Sequence, residues 1–174
     1  MLIGFTGKAG VGKTTIAKKL QDYKGFLVKS FANPLKESLV TLTGLPMCHF
    51  TDSFLKEQST EFGKTPRELM QLYGTEFVRN MICEHFWVIR MRQELNSIGR
   101  VDVVIDDVRF EDEAQLIRER GGYLIHLKRD FESPTDKTGH KSEAGITVKE
   151  NDIVIDSGKE NAEWTYETVS YHLF

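Results

Sequence analysis

Eight residues near the start of the chain constrain its fold more than any other feature of the sequence. Residues 7–14 read Gly-Lys-Ala-Gly-Val-Gly-Lys-Thr, which fits the spacing Gly-x4-Gly-Lys-Ser/Thr. An apolar run at 2–5 precedes them as a candidate buried strand, and residues 15–20 continue as a candidate helix. Strand, glycine loop and helix together are the setting of a phosphate-binding P-loop. The alternative, a glycine-rich turn that fits the spacing by chance, is disfavoured by the flanking strand and helix.

The predicted loop has the chemistry that a polyphosphate needs. Glycines let backbone N–H groups turn inward around the phosphates, and the N-terminus of the following helix adds partial positive charge there. Lys13 is placed to reach the β- and γ-phosphates, and the Thr14 hydroxyl is placed to hold Mg²⁺. The loop therefore predicts a site for a polyphosphate and a divalent cation.

Length and composition restrict the classes of function. With 174 residues, the chain predicts one domain that is large enough to bury a core. The net charge of −3 arises from mixed charges and provides no general basic field, so duplex nucleic acid is not an expected partner. Cys48 and Cys83 stand far apart and match no metal-binding spacing, which indicates reduced thiols. We recognise no signal peptide and no apolar run near the ~20 residues of a membrane span, so we expect a cytoplasmic protein.

Candidate strands alternate with candidate helices along the rest of the chain. Further strands are expected at 26–31, 101–107, 123–127 and 152–156, and helices at 13–23, 33–43, from 66, 85–98, 111–120 and 162–173. Asn33 is expected to cap its helix, with Pro34 at the first helical position. This alternation predicts a five-stranded parallel sheet with helices on both faces. Residues 45–64 fit no regular pattern and predict a segment that is functional or partly helical.

Residues 65–68, Thr-Pro-Arg-Glu, are predicted to start a helix, because Thr and Glu suit a capping box and Pro suits the first helical position. Two rows repeat at four-residue steps behind this start: Leu69, Tyr73 and Phe77, and Arg67, Gln71, Thr75 and Arg79. On an α-helix each row stays on one side. A solvated face is the default interpretation of the polar row. The alternative is that its two arginines hold a phosphate while Gln71 reads a base edge.

The candidate strand at 101–107 ends in two carboxylates, Asp106 and Asp107. An aspartate at the carboxyl end of a second strand is what a P-loop enzyme uses to hold Mg²⁺ or its water shell. Ligands of open parallel sheets bind at that edge, so we expect the P-loop and the aspartates to meet. Alternation along a strand sends the two carboxylates to opposite sides, and the sequence leaves open which of them faces the metal.

Taken in order, these motifs resemble those of a known family. The blocks that carry the resemblance are 7–14, 31–36 (Phe-Ala-Asn-Pro-Leu-Lys), 65–71 (Thr-Pro-Arg-Glu-Leu-Met-Gln), 74–76 (Gly-Thr-Glu), Arg79, 87–88 (Trp-Val), 107–110 (Asp-Val-Arg-Phe), 113–114 (Glu-Ala), Arg129 and 140–143 (His-Lys-Ser-Glu). They resemble the phage-type deoxynucleoside monophosphate kinases, within the P-loop nucleoside monophosphate kinase group. Members of that family often have Thr or Pro where this chain has Asp106.

The resemblance implies a P-loop NTPase three-layer α/β sandwich in one domain, 1–174, with an acceptor-binding insertion at about 33–98 and a lid at about 129–147. It implies transfer of the ATP γ-phosphoryl group to a deoxynucleoside monophosphate, with ATP and Mg²⁺ required. The expected partner is this small-molecule substrate, with no stable nucleic acid and no membrane, and a homodimer is left open. It also suggests a phage gene product that acts in the cytoplasm of the bacterial host.

The resemblance further implies which residues form the site. The predicted ATP-binding residues are Gly7, Lys8, Ala9, Gly10, Val11, Gly12, Lys13, Thr14 and Thr15. The predicted catalytic residues are Lys13, Asp107 and Arg129, and the predicted metal ligands are Thr14, Asp106 and Asp107. The predicted substrate-binding residues are Phe31, Lys36, Arg67, Gln71, Tyr73, Arg79, Trp87, Arg109 and Glu143. For Arg129 the alternative is a salt bridge with Asp130 or Glu132, and for Phe31, Tyr73 and Trp87 it is a place in the core.

Two other functions stay open from the sequence. One is a P-loop kinase for another small acceptor, such as a coenzyme precursor or a sugar acid. The other is a nucleotide-gated switch or a regulatory binding module. A GTPase switch predicts Asp-x-x-Gly after the second strand and Asn-Lys-x-Asp later. Residues 107–110 end in Phe instead of Gly, and the sequence contains no Asn-Lys-x-Asp.

Overall fold

The computed structural model describes residues 1–129, 145–158 and 161–174. It divides the chain into two compact units, which we call the sheet unit (residues 1–30 and 92–174) and the helical unit (residues 31–91). The helical unit overlaps the acceptor-binding insertion predicted at 33–98. Glu143 and most of the predicted lid lie outside the described residues.

The sheet unit is built on five parallel strands. They are β1 (Leu2–Thr6), β2 (Leu27–Lys29), β3 (Val103–Ile105), β4 (Tyr123–Lys128) and β5 (Ile153–Asp156), in the spatial order β2-β3-β1-β4-β5. Leu2 of β1 lies opposite Val103, and Ile3 lies opposite Tyr123. The predicted five-stranded parallel sheet is confirmed, although β2 and β3 are shorter than the runs at 26–31 and 101–107.

Helices make up most of the remaining regular structure. They are α1 (Lys13–Lys24), α2 (Asn33–Thr43), α3 (Cys48–Thr51), α4 (Pro66–Gln71), α5 (Phe86–Ser97), α6 (Glu111–Glu119) and α7 (Ala162–Leu173). A 3₁₀ turn at Leu55–Glu57 and a π-helix at Leu72–Ile82 complete the helical unit. Among the described residues, no helix has both the length and the apolar character needed to span a bilayer.

Helices cover both faces of the sheet, as the alternating pattern predicts. Ile3 and Phe5 of β1 are fully buried on one face, in a cluster with residues of α1 and α7. On the other face Gly4 lies against α6, since a Cβ at this position would be 3.0 Å from Ile117 Cγ1. β1 is therefore buried on both sides, which explains its short, uninterrupted apolar run.

The strand order places the carboxyl ends of β1 and β3 at a topological switch point. The chain leaving β1 runs to β2 on one side, whereas the chain leaving β3 crosses to β4 on the other side. A crevice opens between neighbouring strands whose connections run in opposite directions, and ligands of α/β sheets bind there. Because the glycine loop follows β1 and the two aspartates follow β3, the topology brings them to the same place.

In the helical unit, α2 begins at Asn33, one residue before the first helical position predicted at Pro34. Ala32 is the N-cap, and Asn33 is already helical, so the predicted cap at Asn33 is wrong. Pro34 is tolerated in this first turn because the missing N–H has no intrahelical partner there. Gly44 ends the helix in a left-handed conformation, with φ 74° and its amide bonded to the Val40 carbonyl, as the glycine predicts.

Residues 45–64 are partly helical, one of the two alternatives that their irregular pattern left open. α3 and the 3₁₀ turn both lie in this segment. The capping box predicted to start α4 is present. The Glu68 amide donates to Thr65 Oγ1 at 3.2 Å, and the Thr65 amide donates to Glu68 Oε2 at 2.8 Å.

Beyond Gln71 the chain forms a π-helix, in which each N–H reaches the carbonyl five residues earlier. A step of four residues is close to one full turn in a π-helix as in an α-helix, so Thr75 and Arg79 still share a side of the helix. Phe77 and Met81 are 44% and 76% exposed, whereas Thr75 and Arg79 are only 6% and 7% exposed. The solvated interpretation of the polar row is therefore wrong at Thr75 and Arg79, because both lie on the buried side of this helix.

A buried carboxylate ties α6 and β4 to the chain before β5. Asp152 accepts hydrogen bonds from Arg118 Nε at 3.1 Å, from Arg118 Nη2 at 2.6 Å and from the Lys149 amide at 2.8 Å, and it contacts His126 Nε2 at 3.0 Å. Burial alone would raise the pKa of Asp152. The hydrogen bonds and the Arg118 charge outweigh burial and hold this pKa at about 2, below its usual value of 3.8.

We expect Asp152→Asn to weaken the fold at neutral pH but not in acid. A depressed pKa means that the carboxylate stabilises the fold above pH 3.8, and that this contribution is lost as the pH falls towards about 2. The variant should lose roughly 2 kcal/mol of unfolding free energy at pH 7, since Arg118 loses its buried carboxylate partner and keeps only the more exposed Glu111. Denaturant unfolding between pH 2 and 7 measures both effects, with the exposed Asp22→Asn as the control. Unchanged stability of Asp152→Asn across this range would contradict the assignment.

Candidate active site

The loop between β1 and α1 is shaped by three glycines with positive φ: Gly7 (139°), Gly10 (85°) and Gly12 (102°). L side chains rarely adopt this conformation. Gly7 is constrained a second time by the sheet, because a Cβ there would lie 2.3 Å from the Leu127 carbonyl oxygen of β4. Gly12 is the N-cap of α1 and has no side chain to cap the helix, so the helix terminus keeps its partial positive charge at the loop.

Lys13, the first residue of α1, turns back over this loop. Its side-chain Nζ donates to the carbonyl oxygens of Gly7 at 2.5 Å and Lys8 at 2.8 Å. Lys13 is only 9% exposed, so its ammonium charge is concentrated where the loop would surround phosphate oxygens. This placement suits the contact with the β- and γ-phosphates that the motif predicts.

Thr14 joins the loop to the end of β3. Its Oγ1 donates to Asp106 Oδ2 at 2.7 Å, so the P-loop and the carboxylates meet as expected. A hydroxyl and a carboxylate fit Mg²⁺, which takes oxygen ligands and usually keeps several waters and substrate phosphates. The described residues contain no group of three or more His, Cys, Asp or Glu side chains arranged for a metal. Mg²⁺ bound beside Thr14 and Asp106 would take further oxygen ligands from phosphate and water.

Asp107 has a different partner from Asp106, as strand alternation predicts. It accepts a hydrogen bond at 2.5 Å from the hydroxyl of Ser30, a buried residue that follows β2. Of the two aspartates, Asp106 is therefore the one beside Thr14. The catalytic role of Asp107 stays a prediction. Sequence reasoning missed Ser30, and its only signal is its place at the carboxyl end of a strand that pairs with β3.

Ser157, which follows β5, holds the glycine loop from the other side. Its Oγ lies 3.1 Å from the carbonyl oxygens of both Val11 and Lys128, and its amide donates to Lys128 at 2.8 Å. Ser157 is 7% exposed, so these contacts are shielded from water. Sequence reasoning missed this residue, because no local spacing connects it with a loop 146 positions away.

Glu113 orders the chain between β3 and α6. Its buried carboxylate accepts hydrogen bonds from the amides of Arg109 at 2.8 Å and Phe110 at 3.1 Å. These bonds fix the backbone from which the Arg109 side chain starts. Glu113 carried part of the family resemblance but received no role from the sequence. Its place three residues after Phe110, the N-cap of α6, is the signal that could have found it.

Arg129 follows β4 and is exposed. Gly158 lies against it, since a Cβ at position 158 would be 3.0 Å from Arg129 Cγ. The alternative ion-pair partners, Asp130 and Glu132, lie outside the described residues. The catalytic assignment of Arg129 and its alternative both stay predictions.

The helical unit holds most of the residues predicted to bind the acceptor. Arg79 is 7% exposed, and its Nη1 donates to the Glu84 carbonyl at 2.9 Å. Arg67 has a side chain that is 16% exposed, and it lies one turn before the partly exposed Gln71 on α4. Two arginines therefore lie buried or nearly buried in this unit, where a solvated row was the default expectation.

The aromatic residues of the helical unit differ in their burial and in their contacts. Trp87 is 8% exposed and donates from Nε1 to the Gly74 carbonyl at 3.0 Å, which fastens α5 to the π-helix. Phe31 is 5% exposed, so burial favours the core alternative for both residues. Tyr73 is partly exposed and packs against Phe77 with ring centroids 5.8 Å apart. Lys36, on α2, is also partly exposed.

Comparison with known proteins identifies the family. The model of the deoxynucleotide monophosphate kinases matches residues 47–164, more than half of the chain. A protein of Acanthamoeba polyphaga mimivirus with the name "Putative deoxynucleotide monophosphate kinase" is 34% identical over 185 residues, which cover 98% of this chain and 95% of that protein. The chain belongs to the deoxynucleotide monophosphate kinase family.

This family membership confirms the resemblance inferred from the motifs, and the protein is a kinase. The deoxynucleoside-5'-monophosphate kinase of Escherichia phage T5 is 34% identical over 90 residues, which are 49% of this chain and 36% of that protein. Shikimate kinase from Aquifex aeolicus vf5 superposes with a TM-score of 0.51 at 16% identity, over 99% of this chain and 96% of that one. At that identity the likeness shows the fold alone, and it agrees with the predicted P-loop α/β fold.

We expect Gly7→Ala to disrupt nucleotide binding far more than Gly25→Ala. Both positions have positive φ, but a Cβ at Gly25 meets nothing within 4 Å, whereas at Gly7 it meets the Leu127 carbonyl. Gly25→Ala should cost only the strain of a left-handed residue, about 1 kcal/mol. Thermal unfolding and titration with a fluorescent ATP analogue compare the two variants. Equal losses of binding would show that the approach of β4 does not constrain the loop.

Proposed function

We propose that the protein transfers the γ-phosphoryl group of ATP to a deoxynucleoside monophosphate, giving the diphosphate and ADP. The observation that carries the proposal is the contact of Thr14 with Asp106 at the glycine loop, over which Lys13 is folded. This arrangement supports ATP with Mg²⁺ as the phosphoryl donor. The choice of acceptor is supported by the family model and by the names of the mimivirus and phage T5 relatives.

The transfer requires little covalent chemistry from the side chains of the protein. An oxygen of the acceptor phosphate attacks the γ-phosphorus and forms a new P–O bond. The bond from the γ-phosphorus to the β,γ-bridging oxygen breaks, and its electron pair stays on ADP. The acceptor phosphate is already anionic at neutral pH, so no general base is required. Catalysis then rests on positioning and on neutralising negative charge.

On the donor side, the loop amides and Lys13 hold the β- and γ-phosphates. Bound Mg²⁺ supplies charge neutralisation at the phosphate oxygens, and Thr14 and Asp106 are the residues that would hold it. Asp107 is assigned a catalytic role on the resemblance alone. Its contact with Ser30 supports a fixed orientation for this carboxylate.

On the acceptor side, most of the proposed contacts are made by arginines. Arg79 and Arg109 are assigned to the acceptor α-phosphate, because a planar guanidinium binds two phosphate oxygens at once. Arg67 and Gln71 are assigned to the sugar or base. Arg129 is assigned to the charge on the migrating group, a role in which an arginine is worth roughly 10³- to 10⁵-fold in rate. A cytoplasmic location stays a prediction of the sequence, and a homodimer stays open.

The direct test measures ADP release from Mg-ATP with each of the common deoxy- and ribonucleoside monophosphates in turn. We expect one or more deoxynucleotides to stimulate ADP release, with an equal amount of diphosphate formed. Stimulation only by other small acceptors, such as a coenzyme precursor or a sugar acid, would replace the proposed acceptor. ATP binding without stimulation by any acceptor would favour the regulatory alternative.

Lys13→Ala should abolish transfer while the fold survives. The variant loses the cation that lies over the loop, so turnover should fall by about 10³-fold or more. Lys18→Ala, on the exposed face of the same helix, removes the same charge away from the loop and should stay within twofold of the parent. Steady-state kinetics and circular dichroism provide the two readouts. Near-normal turnover in a folded Lys13→Ala protein would refute the P-loop mechanism.

Asp106→Asn and Asp107→Asn should separate by their dependence on Mg²⁺. Because only Asp106 contacts Thr14, its variant should need roughly 10- to 100-fold more Mg²⁺ for half-maximal activity. Asp107→Asn should keep the parental Mg²⁺ requirement whatever its effect on rate, since its partner is Ser30. Initial rates over a range of free Mg²⁺ measure this requirement. A shift confined to Asp107→Asn would reverse the assignment.

A further inference from the structure

The sequence assigns no role to residues 45–64. One side chain of this segment nevertheless contacts a residue that is predicted to bind the acceptor. Glu57, at the end of the 3₁₀ turn, accepts a hydrogen bond at 2.6 Å from Nε of Arg67 on α4. The two residues are ten positions apart in the sequence, and their side chains form an ion pair. The Arg67 side chain is 16% exposed and that of Glu57 is 45% exposed, so the surrounding protein encloses the arginine more than the glutamate.

The backbone that carries Glu57 is itself held in place. Asp52 Oδ1 accepts from the amides of Phe54 and Leu55 at 2.9 Å each, which caps the 3₁₀ turn. Phe50, in α3 just before it, is completely buried and anchors the segment. Glu57 is therefore presented from an ordered turn, which is what a residue needs in order to orient another side chain.

The geometry of the pair leaves the functional edge of Arg67 available. The bond to Glu57 uses only Nε, and no other described residue bonds to this guanidinium. Among the described residues, neither Nη atom of Arg67 is buried without a hydrogen-bond partner, so both remain accessible to solvent. A planar guanidinium fixed at Nε presents Nη1 and Nη2 in a set plane, as two donors side by side.

The backbone amides at the start of α4 are already engaged within the helix. In the capping box the Thr65 and Glu68 side chains accept hydrogen bonds from these amides. The positive group available at this turn is Arg67 itself. Gln71, one α-helical turn further on, adds a neutral amide on the same face.

We propose that Glu57 is a positioning residue that holds Arg67 so that its two Nη groups bind a pair of coplanar acceptor atoms on the nucleoside monophosphate. The inference rests on the proposed function, whose acceptor side includes Arg67. The O6 and N7 atoms of guanine offer this chemistry and agree with the assignment of Arg67 to the base, whereas two phosphate oxygens offer it as the alternative ligand. A surface ion pair formed only for stability would contribute at most about 1 kcal/mol and would leave acceptor binding unchanged.

The test compares Glu57→Ala with Glu61→Ala, which removes the same charge from an exposed position of the same segment. Glu57→Ala should raise the acceptor KM about tenfold and leave the ATP KM and the kcat within twofold. Glu57→Gln should recover part of the loss, because an amide oxygen still accepts from Nε. A rise in KM for every accepted nucleotide identifies the phosphate as the ligand, and a rise for dGMP alone identifies the guanine edge.

Coupling to Arg67 distinguishes positioning from a structural effect. In an Arg67→Ala background, Glu57→Ala should change the acceptor KM by less than twofold. The same tenfold effect in both backgrounds, or an effect equal to that of Glu61→Ala, would overturn the proposal.

A wild-type protein that phosphorylates no nucleotide would refute the proposed function separately. In that case, calorimetric titration with deoxynucleoside monophosphates in the absence of ATP gives the Kd of the acceptor. The coupling between Glu57 and Arg67 is then measured from the Kd values of the variants. Loss of affinity in Glu57→Ala, absent in the Arg67→Ala background, would uphold the positioning role. Absence of any acceptor binding by the wild type would overturn it together with the function.

Discussion

The glycine loop depends on the central position of β1 in a parallel sheet. On one side β3 delivers Asp106 to Thr14, and on the other side β4 brings the Leu127 carbonyl so close to Gly7 that no side chain fits between them. Ser157, after β5, holds the loop at Val11. The loop is therefore supported from three strands at their carboxyl ends. Dipoles fixed in this way need little reorganisation when charge develops on a phosphate.

The helical unit is governed by a local constraint, the change from an α-helix to a π-helix after Gln71. π-Helical turns are rare and occur frequently at functional sites, because they redirect side chains that an α-helix would leave elsewhere. Within this π-helix Thr75 and Arg79 are buried and Phe77 is exposed. An arginine in a buried position keeps a fixed orientation, which supports the role proposed for Arg79 in binding the acceptor phosphate.

Residues to which no role was assigned from the sequence contact residues of the predicted site in both units. Ser30 bonds to Asp107, Glu113 bonds to the backbone of Arg109, and Glu57 bonds to Arg67. Each is a hydroxyl or a carboxylate that limits the freedom of a neighbouring group. A site held to fractions of an ångström requires such supports, since long side chains otherwise lose entropy each time they bind.

The sequence by itself determined the features that depend on local chemistry. The glycine spacing, the capping box at Thr65 and the alternation of apolar runs with amphipathic stretches predicted the P-loop, the start of α4 and the parallel sheet, because each depends on residues within a few positions of one another. The tertiary structure alone decided which aspartate lies beside Thr14 and which residues support the loop. It also decided that the row from Arg67 to Arg79 turns inward. Those outcomes depend on strand register, on helix winding and on contacts between residues as many as 146 positions apart, which no local pattern encodes.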